Sequence, residues 1–241
     1  MRILLIGYGK MGRTIEGIAK ERGHEVAGVI DKENQSDLQN FDATRVDVAI
    51  EFTEPQSAVS NITHCLHRGI PIISGTTGWL NYKKEIEAIC ESQQGSFFYA
   101  SNFSIGVNIF FAMNQRLAQL MEPQKNYGVS IEEIHHTEKL DEPSGTAITL
   151  SEGITSELSR KDSWKLDHDS PSEKDIAIKA VREPGVHGTH IIQYASEIDT
   201  ITIKHEAHSR QGFALGAVLA AEWLPGHKGI FGMKDMLGIT V

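Results

Sequence analysis

Fourteen consecutive residues hold the densest group of reactive side chains in this chain: Glu133-Ile134-His135-His136-Thr137-Glu138-Lys139-Leu140-Asp141-Glu142-Pro143-Ser144-Gly145-Thr146. An imidazole exchanges a proton near neutral pH, and lysine offers a compact cation. The first backbone N–H groups of a helix accept an anion, and Ser144-Gly145-Thr146 has the composition of such a start. Together they read as a pocket for a carboxylated substrate that needs a proton delivered. A solvated turn before an ordinary capped helix would use the same residue types; the surrounding elements separate the two readings.

An apolar strand over residues 127–134 delivers the histidines, and a helical pattern runs from near Ser144 to about Arg160. In an extended strand His135 and His136 point to opposite faces, so they do different jobs and one faces the site. A carboxylated substrate needs cationic or N–H-rich anchors. Lys139 and the Gly145-Thr146 helix start supply them. Arg210 is either a third anchor or a hinge salt bridge.

The chain begins with a different kind of site. Residues 2–6 are a short apolar run typical of a buried parallel strand. Gly7-Tyr8-Gly9-Lys10-Met11-Gly12 follows as a G-x-G-x-x-G, then a helical pattern, then a strand over residues 25–30 that ends at Asp31. Strand, glycine turn, helix, strand and an acid about 20 residues on are the full setting of a dinucleotide site. The glycines let the backbone approach the pyrophosphate, and Asp31 takes the ribose hydroxyls. Lys32 offsets that acid, so both NADH and NADPH are expected as cofactors; a solvated loop lysine is the other reading of Lys32. Residues 33–45 are too short for a crossover helix. Further strands at 46–52, 70–74 and 96–100 end in Phe52-Thr53, Gly75-Thr76-Thr77 and Ser101-Asn102-Phe103. In a doubly wound sheet those carboxyl ends border the cofactor.

After Asn102 the alternation of strand and helix stops. A helix over 108–121 precedes the histidine strand, a polar stretch covers 161–174, and strands are expected at 175–182, 189–196 and 200–207. Thr200-Ile201-Thr202-Ile203-Lys204 alternates as a half-buried antiparallel strand does. An apolar helix over 211–224 and a closing segment over 229–241 return to the first lobe. The expected fold is α/β: an N-terminal Rossmann-type, doubly wound parallel sheet (1–104 and 211–241) and an α+β substrate domain (105–210) with a mostly antiparallel sheet. Two connections between lobes suit a cleft that closes on substrate.

Bulk properties exclude several classes. Over 241 residues the net charge is −9, which lacks the basic footprint of a nucleic-acid partner. The two cysteines, Cys65 and Cys90, give no disulfide framework or metal cluster. No signal peptide or long apolar run is visible, so a soluble cytoplasmic protein without a membrane partner is expected. His64/His67, His187/His190 and His205/His208 are H-x-x-H pairs. In a strand such a pair faces opposite ways, and His64/His67 has no evident third ligand nearby, so no metal is expected.

The glycine loop, Ser74-Gly75-Thr76-Thr77-Gly78, Ser101-Asn102-Phe103-Ser104-Ile105-Gly106-Val107-Asn108, the His135-His136-x-x-Lys139 run and Pro143-Ser144-Gly145-Thr146 occur in this order. Together, over nearly the whole chain, they closely resemble the dihydrodipicolinate reductase family of bacterial lysine and diaminopimelate synthesis. The resemblance implies an NAD(P)H-dependent reduction of 4-hydroxy-tetrahydrodipicolinate: hydride reaches C4 of a cyclic imine bearing two carboxylates, with loss of water. It implies His135 as proton donor and acceptor, Lys139 as second proton donor, His136 as a substrate contact, and Gly145 and Thr146 as holders of a substrate carboxylate. The cofactor contacts it implies are Gly7, Tyr8, Gly9, Lys10, Met11, Gly12, Asp31, Lys32, Gly75, Thr76, Thr77, Ala100, Ser101, Asn102 and Phe103, with Phe52 added from its strand end. It implies a homotetramer formed through the sheets of the substrate domain. Many members carry Glu-Arg where this chain has Asp31-Lys32, and a longer glycine loop. Another Rossmann amino-acid dehydrogenase and a non-catalytic NAD(P)-sensing protein are the alternatives left by the residues alone.

Overall fold

A computed structural model describes residues 1–209 and 211–240. Arg210, the third anchor or hinge residue of the sequence reading, lies outside the described residues. The chain forms two compact units, one from Met1–Ile105 with Gln211–Thr240, the other from residues 106–209.

The first segment runs β1 (Arg2–Ile6), α1 (Lys10–Glu21), β2 (Glu25–Ile30), β3 (Val48–Glu51), α2 (Pro55–His67), β4 (Ile72–Ser74), α3 (Lys83–Ser92) and β5 (Ser96–Tyr99). Pro55 opens α2 at its first turn, where a missing N–H is harmless. Between β2 and β3 the chain makes only a 3-10 segment, Lys32–Asn40, capped by the Asp31 side chain. The second unit then carries α4 (Ile105–Met121), β6 (Gly128–His135), α5 (Gly145–Thr155), β7 (Ser163–Leu166), β8 (Asp175–Arg182), β9 (Thr189–Ala195) and β10 (Thr200–Glu206). The return segment is α6 (Gln211–Trp223), β11 (Gly229–Phe231) and α7 (Met233–Leu237).

In the first unit all six strands are parallel, in the order β11-β5-β4-β3-β1-β2. Strand alternation feeds two cores, one on each face. Ile3, Leu5 and Ile50 pack with Ile15 and Ala19 of α1 and with Ala214, Ala217 and Ala221 of α6. Leu4, Ile6 and Ala49 pack with Ile62 and Leu66 of α2 and with Ile86 of α3. A sheet covered on both faces is the doubly wound arrangement, and the strand order reverses at β1, with β2 on one side and β3 to β11 on the other. The crevice at the carboxyl ends of β1 and β3 is therefore the place for a ligand.

The five-stranded sheet of the second unit has the order β10-β9-β6-β8-β7. It is mixed rather than mostly antiparallel: β10–β9 and β9–β6 run antiparallel, β6–β8 and β8–β7 parallel. The parallel half follows from α5, which carries the chain back after β6 as a crossover, so the next strands enter in the same direction. β7 lies inside the stretch read as polar. It is a half-exposed edge strand with a single neighbour, so little apolar sequence is needed to hold it. α5 ends before Arg160; Leu158 is buried beyond the helix end and extends the apolar pattern past it.

Candidate functional site

On β6 every second side chain turns inward: Val129, Ile131, Glu133 and His135 are buried. The strand thus changes along one face from core residues to an acid and an imidazole. Glu133 Oε2 lies 3.3 Å from His135 Nδ1. The same carboxylate accepts the Ser144 backbone N–H at 3.0 and 3.1 Å, and the Arg182 guanidinium approaches it at 3.4 Å. Burial alone would push the Glu133 carboxyl up, but the partners His135 and Ser144 outweigh it and hold it down at about 2. It is therefore an anion at any working pH.

Glu133 is paired in register with His190 of β9. The two imidazoles of His135 and His190 meet edge to face at 5.1 Å. His190 Nε2 is 3.1 Å from Ser144 Oγ, and that oxygen accepts the Ala147 N–H as the N-cap of α5. Burial, followed by the neighbouring His135 charge, pushes His190 down to about 3, so it is neutral and serves as a hydrogen-bonding brace. One network thus fixes both the imidazole at 135 and the first turn of α5. Gly145 faces open space, and Thr146 is half-buried at that turn. The N–H groups of a first turn have no acceptor within the helix and are free to meet a carboxylate.

Lys139 follows in the turn after β6, its ammonium 2.7 Å from both Asp141 oxygens. Arg182 donates to the Lys139 and Asp141 carbonyls and so pins that turn to β8. His136, just past β6, is half-buried. Glu133, His135 and His190 each offer an atom within 4.8 Å of the others, a group capable of holding a cation. The fixed positive charge of Arg182 beside Glu133 works against a divalent ion there.

In the first unit, Gly7, Tyr8, Gly9, Asp31, Lys32 and Phe52 line a cavity of about 300 Å³ with Gln35, Thr53, Glu54 and Ser57. Gly7 has φ +96°, and a Cβ there would sit 2.0 Å from the Phe52 carbonyl oxygen. Only glycine lets β1 turn this tightly against the end of β3. Beside it Gly9 has open space where a Cβ would be, which leaves the backbone approachable by a phosphate. These residues fit a dinucleotide. Lys10, Met11 and Gly12 form the first turn of α1. Tyr8 is fixed by its hydroxyl, which donates to Glu16, and by Arg13 over its ring at 4.6 Å.

The loops after β3 and β4 are joined by a buried acid. Glu51, fully buried, accepts from Thr53 N (3.0 Å), Thr76 Oγ1 (2.8 Å), Ser74 Oγ (2.5 Å) and the Thr53 hydroxyl. Gly75 packs against the Phe52 ring, and Thr77 is exposed. Ala100 and Phe103 give their side chains to the core, Phe103 stacking on Phe98. Ser101 is exposed, and Asn102 accepts the Ser104 N–H. A second cavity, about 460 Å³, opens beside Gly28, Asn34, Phe41 and Arg45 and holds none of the sequence-derived site residues.

Sequence reasoning missed Glu133, His190, Arg182, Glu51 and Glu54. For Glu133 the signal was present: its alternation with Val129, Ile131 and His135 puts an acid on a core-facing stripe. His190 likewise shares a face with the buried Ile192 and Tyr194. Arg182, Glu51 and Glu54 carry no such sequence signal, because the fold alone brings them to partners far away in the chain.

Residues 1–103 match the family model described as dihydrodipicolinate reductase, N-terminus, and residues 106–237 the one described as dihydrodipicolinate reductase, C-terminus. A 4-hydroxy-tetrahydrodipicolinate reductase of Christiangramia forsetii is 51% identical over 238 residues, 98% of each chain. One from Alkaliphilus metalliredigens is 32% identical over the whole of both chains. Among solved structures, the dipicolinate-bound dihydrodipicolinate reductase from Paenisporosarcina sp. TG-14 superposes with a TM-score of 0.77 at 24% identity. That match covers 98% of this chain and 99% of that one, and shows a common fold.

Proposed function

The chain belongs to the dihydrodipicolinate reductase family, and from that premise we propose that it reduces 4-hydroxy-tetrahydrodipicolinate to tetrahydrodipicolinate with NAD(P)H in lysine synthesis through diaminopimelate. The substrate loses water and gains a hydride at C4 and a proton; NAD(P)H and a proton are consumed, and NAD(P)⁺ and water leave. The observation that carries this reading is the Glu133–His135 pair on the inward face of β6, tied through Ser144 to the first turn of α5.

The first unit takes the dinucleotide on the β1–α1 turn, Asp31 and the loops after β3, β4 and β5. When bound, the dinucleotide supplies the hydride. The second unit holds the substrate. Gly145 and Thr146 present N–H groups to one carboxylate, and His136 contacts the ring substituents. His135 delivers the proton, with Glu133 behind it holding the imidazole in place. Lys139, set by Asp141, is the second proton donor and a cationic anchor. Arg210 is left without a role.

The assembly is a homotetramer formed through the second unit. Support comes from the β10 edge with its exposed Ile201, and from Ile109, Met113 and Leu120, an exposed apolar stripe at helical spacing on α4. Among the described residues no helix is long and apolar enough to cross a membrane, and the proposed location is the cytoplasm. The test is NADH and NADPH consumption with freshly generated 4-hydroxy-tetrahydrodipicolinate, with aspartate and homoserine as control substrates. Turnover confined to the controls, or nucleotide binding without any turnover, refutes the assignment.

A further inference from the structure

We propose that Glu54, as a second anion beside Asp31 that offsets the Lys32 ammonium, makes the adenosine end of the groove select NADH over NADPH. The proposal rests on the dinucleotide reading of the first unit. Three charged side chains line that cavity: Asp31, Lys32 and Glu54. Lys32 Nζ lies 2.7 Å from Glu54 Oε1. The remaining polar lining side chains, Tyr8, Gln35, Thr53 and Ser57, are neutral, so the rim carries two negative charges against one positive.

NADPH differs from NADH by one phosphate on the adenosine 2′-oxygen, with a charge of about −1.5 to −2 near pH 7. Asp31 ends β2, where the ribose hydroxyls are accepted. A phosphate placed there meets the Asp31 carboxylate, and the lining cation that could answer it is engaged elsewhere. If Lys32 turned to the phosphate, Glu54 would be left as a second uncompensated anion on the same rim. Lysine also grips a phosphate at one point, not as a fork. The Lys32–Glu54 pair is itself weak, because its side chains are 76% and 58% exposed. Selectivity therefore comes from the net sign of the rim rather than from breaking the pair. A neutral residue at 54 leaves Asp31 and Lys32 balanced and Lys32 available.

The test is equilibrium titration of the full chain with each reduced nucleotide, read by nicotinamide fluorescence at low and high salt. The wild-type protein is expected to bind NADH about tenfold more tightly than NADPH, equivalent to about 1.4 kcal/mol. Glu54→Gln is expected to move the ratio of the two Kd values about tenfold toward NADPH, and adding Lys32→Ala to remove that gain. Raising the salt should shrink the wild-type ratio. Equal affinities in the wild type, or a ratio moved less than about twofold by Glu54→Gln in a variant with native circular dichroism, overturns the proposal. Failure of both nucleotides to bind the folded wild type overturns the dinucleotide reading and the selectivity with it.

Discussion

Glu133 Oε2 and His135 Nδ1 stand 3.3 Å apart on one face of a single strand. A strand places residues i and i+2 side by side, so the acid and the imidazole need no loop to meet. With Nδ1 toward the carboxylate, Nε2 lies toward Gly188 and is the atom the proposed mechanism uses to exchange a proton. Glu133→Gln keeps the shape and the Ser144 contact but removes the charge that favours this orientation. It is expected to lower kcat about 10–100-fold, a share of the 10²–10⁴ that a positioned acid contributes. Steady-state kinetics with saturating NADH measure it, and unchanged kcat would remove Glu133 from the proton path.

His135→Gln and Lys139→Ala are each expected to reduce kcat by about 10²–10⁴-fold, because each removes a proposed proton donor. The proposed nucleotide site lies in the first unit, so nucleotide binding should persist in both, as fluorescence titration would show. Near-wild-type turnover in both variants would mean that acid and anchor lie elsewhere.

His190 gives the second unit an acid-sensitive brace. Burial first, then His135, lowers its folded pKa to about 3. The unfolded imidazole takes its proton near about 6.5. Its folded value is depressed, so its contribution to stability is complete above about 6.5 and is lost as pH falls toward 3. Glu133, held at about 2, adds a further loss below the unfolded carboxylate value of about 4.3. Thermal melts should therefore show Tm falling from pH 7 to pH 5 and more steeply below. His190→Gln retains a hydrogen-bonding head without titrating, so it should flatten the pH 7–5 portion. A wild-type Tm constant across that window would contradict the buried neutral imidazole.

Glu51 does comparable work in the first unit, through four hydrogen bonds to Thr53, Ser74 and Thr76. Burial pushes its carboxyl up, against those same bonds. The sign is opposite to that of Glu133: its contribution is fully present below the unfolded pKa and is lost as pH rises through the folded one. Glu51→Ala orphans its donors and is expected to cost about 2–4 kcal/mol in urea unfolding. Because Thr53 lines the proposed cofactor cavity, KM for NADH should rise several-fold while kcat changes less. Glu51→Gln should recover part of both losses. Equal stability of the Ala variant and the wild type would show the network to be dispensable.

How much of this was readable beforehand differs between the two units. β1 and β2 fall on the residues expected, and α1 follows the glycine turn, because buried parallel strands are continuous apolar runs and the glycine turn is a local steric demand. The start of α5 at Ser144 and Gly145 was legible from its capping chemistry. The parallel pairing of β6 with β8 was not, since which strands become neighbours depends on the α5 crossover and on no local pattern. The partners of the site residues were hidden for the same reason: Glu133 meets His190 through strand register and Arg182 through the parallel pairing. Lys32 shows the limit most clearly. Its sequence neighbour Asp31 framed it as a cofactor contact, while its ammonium is held by a residue 22 positions away.

Gly188 supplies the last test, because it adjoins the atom proposed to carry the proton. It has φ +155°, and a Cβ built there would lie 3.1 Å from His135 Nε2 and 3.3 Å from His135 Cδ2. A methyl group would meet the imidazole at its working edge, in a backbone conformation that L side chains rarely adopt. Gly188→Ala is therefore expected to destabilise the fold by about 1 kcal/mol and to lower kcat by a larger factor than that instability explains. The comparison uses the folded fraction, from denaturant unfolding, against kcat at saturating substrate. A variant whose activity loss matches its folded fraction would show that the ring has room to move, and that the orientation set by Glu133 is not what limits the proton.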